Sequence, residues 1–386
     1  MTPPRTTDIV FCMAGDLHRN ARALRQVSAL AGVGWAVHVV SLAPAGALRS
    51  KLPEGVTNST IDLPHTGGPR YFARLHRRFK RELAGLSAAL FHASDLYVLA
   101  ATASRARESS VPYTYDAREL YTHVAATVGR PHVRAAWHLV ESRFIRGAAR
   151  TWTVSDSIAD RLRGSYGIAR PTVQMNAPAY SGPPAPGDYL RTESGLSPET
   201  AIVLHLGQLR RDRGAEMLIR AMASWPDDAP RAALVFLGYG PEERTFRELT
   251  TTLRAEGRVR FLPPVPPARV LGVAAGADCG VTLLEPTCLN HRFALPNKLF
   301  DYLAAGLPVV ASDLPECAAL IERFECGAVA DPLSEDSVRG ALVKAVSRNA
   351  DTERWRRNAT AAAETLDWNA VSETFCAQVA ELIPRK

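Results

Sequence analysis

The most informative stretch of this chain is LPNKLFDYLAAGLPVVASD, residues 295–313. Pro296 and Asn297 suit the start of a helix, because proline fits the first turn and asparagine is a good N-terminal cap. The residues up to Ala305 are good helix formers, and Gly306 is typical of a helix end. The apolar run 307–312 then predicts a short strand buried on both faces. This helix and strand indicate an α/β domain.

The start of the same helix has the features of an anion site. Backbone N–H groups in the first turn have no partner within the helix, and Lys298 adds a positive charge. Asp301 follows one turn later, where a carboxylate is placed to accept hydrogen bonds from the paired hydroxyls of a ribose. A capped core helix with a surface lysine and aspartate explains these residues equally well when the stretch is taken alone.

Length and composition describe an ordinary globular protein. The 386 residues predict two domains, and 46% apolar with 22% charged residues is typical of globular chains. The net charge of +7 indicates anionic partners such as nucleotides, nucleic acid or lipid headgroups. Six cysteines without metal-ligand spacing are typical of a reduced intracellular protein. Because Ile9–Ala14 is too short for a signal peptide and no run reaches the length of a membrane span, we expect a cytoplasmic protein.

The first half begins in the order of a doubly wound α/β fold. Residues 8–13 predict a strand, 21–32 a helix and 35–42 a second strand. Ligands bind at the carboxyl ends of strands in such folds, which is where Gly15, His18 and Arg19 lie.

A second polar cluster follows the predicted strand 111–115. It comprises Asp116, Arg118, Glu119 and Tyr121. Chemistry at a strand end is one interpretation, and a turn with Asp116 as a helix cap is the other. We hold both.

The segment RYFARLHRRFKREL, residues 70–83, predicts a basic amphipathic helix. Such a helix can lie on an anionic membrane surface. We favour an apolar stripe in the core and a solvated basic face, because nothing else indicates a membrane. Peripheral contact of Arg70–Arg81 with the inner membrane face is the alternative.

Domain boundaries are indicated by a stretch rich in proline and glycine. Residues 177–199 predict a linker between an N-terminal domain, 1–176, and a C-terminal domain, 200–366. Residues 367–386 predict an amphipathic helix that packs back on the N-terminal domain.

The C-terminal domain contains a basic loop and a Gly-x-Gly turn, each at a predicted strand end. Strand 201–206 leads into Gly207 and Gln208, then Arg210, Arg211 and Arg213. Strand 232–237 leads into Gly238-Tyr-Gly240. Guanidinium groups match phosphate geometry, so this domain suits a diphosphate. Alone, the arginines would be solvated loop residues; their order with the helix at 297 favours the phosphate site.

Several enzyme classes lack their motifs. The chain has no complete G-x-G-x-x-G, no P-loop, no H-E-x-x-H and no G-x-S-x-G. Nicotinamide dehydrogenase, NTP hydrolase, zinc enzyme and serine hydrolase are therefore unsupported. A nucleic-acid role rests only on the basic pI and the helix at 70–83, so we expect no nucleic-acid partner.

The second half resembles the retaining, nucleotide-sugar-dependent glycosyltransferases of family four. Their GT-B fold has two Rossmann-like, doubly wound α/β domains facing a cleft. Four motifs carry the resemblance: Leu206-Gly207 with Arg213-Gly214, Phe236–Pro241, Val259–Phe261 and, above all, residues 295–312. Residues 115–121, 153–159 and 367–369 resemble family segments more loosely.

The resemblance implies roles for individual residues. Arg213 and Lys298 would bind the donor diphosphate, helped by nearby backbone N–H groups, and Asp301 would hold the ribose. The implied catalytic residues are Arg213, Lys298 and Arg118. The implied donor-binding residues are Gly15, Gly207, Gln208, Arg210, Gly238, Gly240, Arg260 and Phe261 (backbone contacts to the base), Phe293, Ala294, Leu295, Pro296 and Asn297 (the sugar), Leu299 and Asp301. The acceptor would meet His18, Arg19, Asp116, Glu119 and Tyr121.

Three departures from the family pattern stand out. Phe293 and Asp301 occupy positions where many members have glutamates. Gln208 replaces the first phosphate-binding arginine, with Arg210 or Arg211 as substitutes. Arg118 stands where related sequences have a histidine.

The implied reaction moves a sugar from a nucleotide diphosphate sugar to an acceptor hydroxyl with retention, without a metal or other cofactor. The acceptor would be a small molecule, a glycan or a lipid-linked molecule bound to the N-terminal domain. A GT-B sugar-nucleotide epimerase and a non-catalytic nucleotide- or glycan-binding subunit are the alternatives.

Overall fold

The computed structural model describes residues 7–44 and 51–383. The chain forms two compact units, one comprising residues up to 175 together with those from 370 onward, and the other residues 176–369. Each unit contains one parallel sheet. We call them the first and the second unit.

Thirteen strands lie in the described ranges: Ile9–Cys12 (β1), Val37–Leu42 (β2), Val56–Ile61 (β3), Leu90–Ala93 (β4), Tyr113–Ala117 (β5), Arg150–Thr153 (β6), Thr172–Val173 (β7), Ala201–Leu206 (β8), Ala232–Leu237 (β9), Val259–Leu262 (β10), Cys279–Thr282 (β11), Val309–Ser312 (β12) and Gly327–Ala330 (β13).

The α-helices of the same ranges are Ala21–Gly32 (α1), Gly68–Ala84 (α2), Leu96–Glu108 (α3), Pro131–Ile145 (α4), Asp156–Tyr166 (α5), Tyr189–Ser194 (α6), Ala215–Ala223 (α7), Glu243–Thr252 (α8), Val270–Ala274 (α9), Leu289–Arg292 (α10), Asn297–Ala304 (α11), Pro315–Phe324 (α12), Glu335–Val346 (α13), Ala350–Thr365 (α14) and Trp368–Ala380 (α15).

The sheet of the first unit has seven strands in the order β3-β2-β1-β4-β5-β6-β7. β1 pairs with both β2 and β4, and all four of its residues are buried, which explains the uninterrupted apolar run. α1 has the bounds that its apolar spacing predicts, and Asn20 caps it by accepting a hydrogen bond from Ala23 N.

The C-terminal residues complete the core of the first unit. The Phe375 ring lies 5.1 Å from that of Trp152, and Trp152 Nε1 donates to Gln378 Oε1 at 2.7 Å. Val379 belongs to the same buried cluster as Phe11 of β1. Residues of α15 are therefore part of this unit although they are distant in sequence.

The sheet of the second unit has six strands in the order β10-β9-β8-β11-β12-β13. All residues of β8 and β9 are buried. α11 is followed by Gly306 at a φ of +70°, the left-handed conformation that commonly ends a helix. Pro296 rather than Asn297 holds the N-cap position, and Asn297 Oδ1 instead accepts a hydrogen bond from Asn176 Nδ2.

The segment predicted as a linker is partly folded. Residues 189–194 form α6, and Leu190 is fully buried. The Arg191 guanidinium donates to Ser197 O and Thr200 O, which ties the following turn to this helix. The proline and glycine content therefore predicted irregular backbone, but it gave no sign of this short helix and its buried leucine.

Two further features are the state of the cysteines and the character of the helices. The six cysteines all lie in described segments, are buried and form no disulfide. Among the described helices, none has the length and apolarity needed to cross a membrane.

Candidate functional site

A cavity of about 420 Å³ opens in the second unit where β8 and β9 end and α11 begins. This edge is where parallel α/β sheets bind ligands. Its lining residues are Leu206, Gly207, Gln208, Arg213, Leu237, Gly238, Tyr239, Pro264, Val265, Val270, Pro296, Asn297, Lys298 and Asp301. The structure thus brings together the basic loop, the Gly-x-Gly turn and the helix start that the sequence singled out separately.

Glycines let the two strand-end loops approach each other. A Cβ on Gly238 would lie 2.0 Å from Gly207 O, and one on Gly240 would lie 2.1 Å from Leu209 O. Leu209 N also donates to Tyr239 O at 3.0 Å. The Gly-x-Gly turn contributes Gly238 and Tyr239 to the cavity lining, and Gly240 itself does not line it.

Two basic residues, Lys298 and Arg213, line the cavity. Nζ of Lys298 lies 2.9 Å from Nε2 of His205, which is fully buried in β8. Burial and the charge of Arg213 lower the pKa of Lys298 to about 7, opposed by Asp301. Burial and the Lys298 charge also hold the pKa of His205 well below its usual value, so its ring is neutral. This crowding of positive charge favours an anion between Lys298 and Arg213.

Arg213 has acidic and histidine neighbours. Its Nε lies 3.9 Å from Asp212 Oδ1, and Asp212 Oδ2 lies 3.5 Å from His291 Nε2. Thr287 Oγ1 lies 2.9 Å from Nδ1 of His291. This chain of contacts links the basic loop to α10, and we infer that it orients the Arg213 guanidinium.

Several predicted donor-binding residues lie outside the cavity lining. The Arg260 guanidinium donates to Ser194 O, and the Phe261 ring stacks on Phe236 at 5.0 Å, so both side chains are engaged elsewhere. Leu299 is fully buried, and its N–H donates to Pro296 O. Also absent from the lining are Gly15 of the first unit, Arg210, which is more than half exposed, Phe293, Ala294 and Leu295.

The structure adds an apolar wall that sequence reasoning missed. Pro264 and Val265 follow β10, and with Tyr239 and Val270 they line the cavity. The two β10 residues predicted to contact the base do not line the cavity, whereas the loop after that strand does. His205 was also missed, although a lone polar residue within the apolar run of β8 was a usable signal.

Asp116, predicted to meet the acceptor, has a carboxylate that is already engaged by other side chains of the first unit. Asp116 is fully buried, and its carboxylate accepts hydrogen bonds from Arg22 Nε at 2.7 Å and Nη2 at 2.9 Å. Gln26 Nε2 donates to the same carboxylate. Burial by itself would raise the pKa of Asp116, but the Arg22 guanidinium outweighs it and lowers the pKa. The alternative interpretation of Asp116 as a helix cap is wrong, since Asp116 lies within β5.

The other predicted residues of the first unit lie around the same sheet edge. Arg118 Nη2 is 3.5 Å from Oδ2 of the buried Asp95, and Tyr121 is buried with its ring 5.4 Å from that of Tyr97. Glu119 is exposed. His18 and Arg19 form a short turn after β1, with Arg19 largely exposed, and a Cβ on Gly15 would meet only Met13 Cε, at 3.6 Å.

No group of three or more histidine, cysteine, aspartate or glutamate side chains arranged to hold a metal ion occurs within residues 7–44 and 51–383.

Two family models match the chain. Residues 188–362 match the glycosyl transferases group 1 model, and residues 20–175 match the Glycosyltransferase Family 4 model. The two ranges together span most of the chain. The chain therefore belongs to the family 4, group 1 glycosyltransferases, a retaining family, and its fold is GT-B, as its motifs predicted.

Relatives of stated activity are distant. The D-inositol 3-phosphate glycosyltransferase of Corynebacterium glutamicum is 28% identical over 188 residues, which cover 47% of this chain and 44% of that protein. The chain spans about half the length of the curated relatives that it matches.

Solved structures are similar over nearly the whole chain. Sucrose-phosphate synthase from Thermosynechococcus elongatus has a TM-score of 0.80 at 18% identity, covering 97% of this chain and 99% of that one. HepE of Anabaena in complex with UDP and glucose has a TM-score of 0.72 at 16% identity, covering 97% and 100%.

Proposed function

We propose that this protein transfers a sugar, with retention, from a UDP-sugar to an acceptor hydroxyl. The observation that carries the proposal is the cavity of the second unit, where Arg213 and Lys298 stand beside a helix N-terminus and Asp301 follows one turn later. The structurally similar HepE was solved with UDP and glucose, which favours uracil as the base. We infer that Pro264 and Val265 pack against it.

The proposed chemistry follows from charge. Breaking the bond between the sugar C1 and the diphosphate oxygen leaves negative charge on the diphosphate and positive charge on the sugar. Arg213 and Lys298 stabilise the leaving diphosphate, which is commonly the largest electrostatic contribution to such catalysis. The acceptor oxygen forms its bond to C1 on the face that the diphosphate leaves, and its proton passes to a diphosphate oxygen. No protein nucleophile is needed.

The remaining donor contacts are assigned by position. Asp301 accepts hydrogen bonds from both ribose hydroxyls, and the backbone at Gly207 and Gln208 faces the phosphates. Phe293 removes the carboxylate that many relatives place near the sugar, so the sugar is held by fewer charged contacts in this chain. The acceptor binds to the first unit.

Nucleotide binding tests the donor site directly. Thermal unfolding is measured with UDP, GDP, dTDP and ADP on the wild type, on Asp301→Ala and on Asp227→Ala, a control that removes an exposed carboxylate from the same unit. UDP at about 100 times its dissociation constant stabilises the binding unit by about 2.7 kcal/mol. We expect a UDP shift that Asp301→Ala abolishes and Asp227→Ala retains. No shift with any nucleotide, or a shift equal in both variants, would overturn the site.

Turnover separates the transferase from its alternatives. Release of UDP from UDP-glucose and from other UDP-sugars is followed with and without cell-extract acceptors, and the products are examined for an epimerised sugar nucleotide. Arg213→Ala is expected to reduce release by about 100-fold or more, because a charge-assisted contact to the leaving group is lost. Tight UDP binding without any release would favour a non-catalytic binding subunit.

A further inference from the structure

The first unit contains a cavity of its own, larger than the one in the second unit. It has a volume of about 600 Å³ and lies among α2, α3 and α4. A volume of this size is in the range that holds a whole small ligand. Its walls are mainly apolar, formed by Phe72, Tyr97 and Trp137 with aliphatic residues between them.

The aromatic wall has a fixed geometry. The Phe72 and Trp137 rings meet edge to face at 4.7 Å, and the Tyr97 and Trp137 rings at 5.2 Å. Phe72 also stacks on Tyr97 at 5.1 Å. Because each ring is held by two others, the wall keeps its shape without a ligand and offers a preformed apolar surface.

Arg130 supplies the fixed charge among the described residues that line this cavity. Arg130 and three histidines line it, and no acidic side chain does. The N-termini of α2 and α4 also reach the cavity; neither has an acidic residue in its first turn or a side-chain cap. Helix N-termini of this kind favour an anion. An apolar interior with a positive rim is complementary to a molecule with an apolar chain and an anionic end.

The basic face of α2 extends this positive charge. Tyr71, Leu75, Phe79 and Leu83 form its buried stripe, which confirms that the apolar residues of this helix belong to the core. Phe72 and His76 of the same helix line the cavity, while Arg74 and Arg77 are exposed beside them. A ligand in the cavity would thus enter next to a cationic surface.

We propose that this cavity binds the apolar chain of an anionic, lipid-linked acceptor, with the anionic end held at the Arg130 rim. The proposal rests on the transferase function above and names the class of its acceptor. The cavity selects a flexible prenyl or acyl chain, and the positive rim selects its phosphate end. A soluble aromatic or sugar acceptor would leave most of the cavity unfilled.

Farnesyl phosphate, kept below its critical micelle concentration, is the probe, and binding is measured by isothermal titration calorimetry. Ala136 lines the cavity from α4, and its neighbour Ala135 does not; both are exposed, so phenylalanine is tolerated at either position. Ala136→Phe is expected to weaken farnesyl phosphate binding about tenfold or more by filling the cavity. Ala135→Phe is expected to bind as the wild type does.

The rim is tested with a second matched pair. Arg130→Gln is expected to weaken farnesyl phosphate binding and to leave farnesol binding unchanged, whereas Arg134→Gln, an exposed arginine of α4 outside the lining, changes neither. Equal affinity of the wild type for farnesyl phosphate and farnesol would refute the proposal that the rim binds an anionic end. Tighter binding of benzyl phosphate than of farnesyl phosphate would refute the proposal that the cavity binds a long apolar chain.

The UDP thermal shift, measured on the same variants, distinguishes this proposal from the donor site. An intact UDP shift without farnesyl phosphate binding refutes only the lipid-linked acceptor. The absence of a UDP-induced thermal shift in the wild-type protein refutes the transferase function on which the lipid-linked acceptor proposal rests.

Discussion

UDP binding should be accompanied by proton uptake, because Lys298 is largely unprotonated above pH 7 when no ligand is bound. Its pKa of about 7 is caused by burial and by Arg213, and His205 stays neutral beside it. A diphosphate placed between the two cations stabilises the protonated ammonium and raises this pKa toward its usual value near 10.5. The neighbouring Asp301 already acts in the same direction.

The magnitude follows from the shift. At pH 8 a group with a pKa of about 7 is roughly one-tenth protonated, so binding takes up about 0.9 proton. Between pH 7 and pH 8.5 the UDP affinity should fall about 16-fold, or about 1.6 kcal/mol. The reason is that UDP binds the form in which Lys298 is protonated, and the fraction of this form decreases as pH rises. The second phosphate ionisation, near pH 6, contributes little in this range.

Calorimetric titration of UDP at pH 8 in Tris and in HEPES measures the proton uptake from the difference in buffer ionisation heat. Lys298→Arg keeps a permanent charge, so it should bind UDP with no proton uptake and with an affinity independent of pH. Lys298→Met should lose both affinity and pH dependence. Proton uptake near zero in the wild type, or unchanged uptake in Lys298→Arg, would refute the reasoning.

Three buried or tightly packed features give further expectations. Glu141 accepts hydrogen bonds from two tyrosine hydroxyls at 2.7 and 2.6 Å, and burial raises its pKa from 4.5 to about 7. The folded state then holds an extra proton between these values, so the free energy of unfolding falls as pH rises through that window. Glu141→Gln is expected to remove about 2.5 kcal/mol of the difference between urea titrations at pH 5 and pH 8. Asp116→Ala leaves Arg22 buried without its counterion and should lower the free energy of unfolding by about 3–5 kcal/mol, measured by urea denaturation. Gly238→Ala forces a Cβ against Gly207 O and should lower both UDP affinity and the unfolding temperature of the second unit.

Each of these has a clear contrary result. Equal slopes against pH in wild type and Glu141→Gln would contradict the raised pKa. A loss below 1 kcal/mol in Asp116→Ala would mean that the ion pair is not required. Gly257 is the matched control for Gly238, since a Cβ there meets nothing within 4 Å, and equal effects of alanine at both positions would refute the steric argument.

Local patterns predicted some of the helices well. The α1 bounds were predicted to the residue, and α11 was predicted to within one residue, because apolar spacing and Gly306 are local signals. The family motifs then gave the fold class. β3 was not predicted, because Thr57, Asn58 and Ser59 interrupt its apolar residues.

The sequence by itself determined many of the helices and strands and the family to which the chain belongs, because both depend largely on residues close together in the chain. Only the tertiary structure decided how individual polar groups are used. Asp116 is paired with Arg22, 94 residues away, and Lys298 with His205, 93 residues away. A side chain's burial, charge and partner depend on such distant neighbours, and no local pattern specifies them.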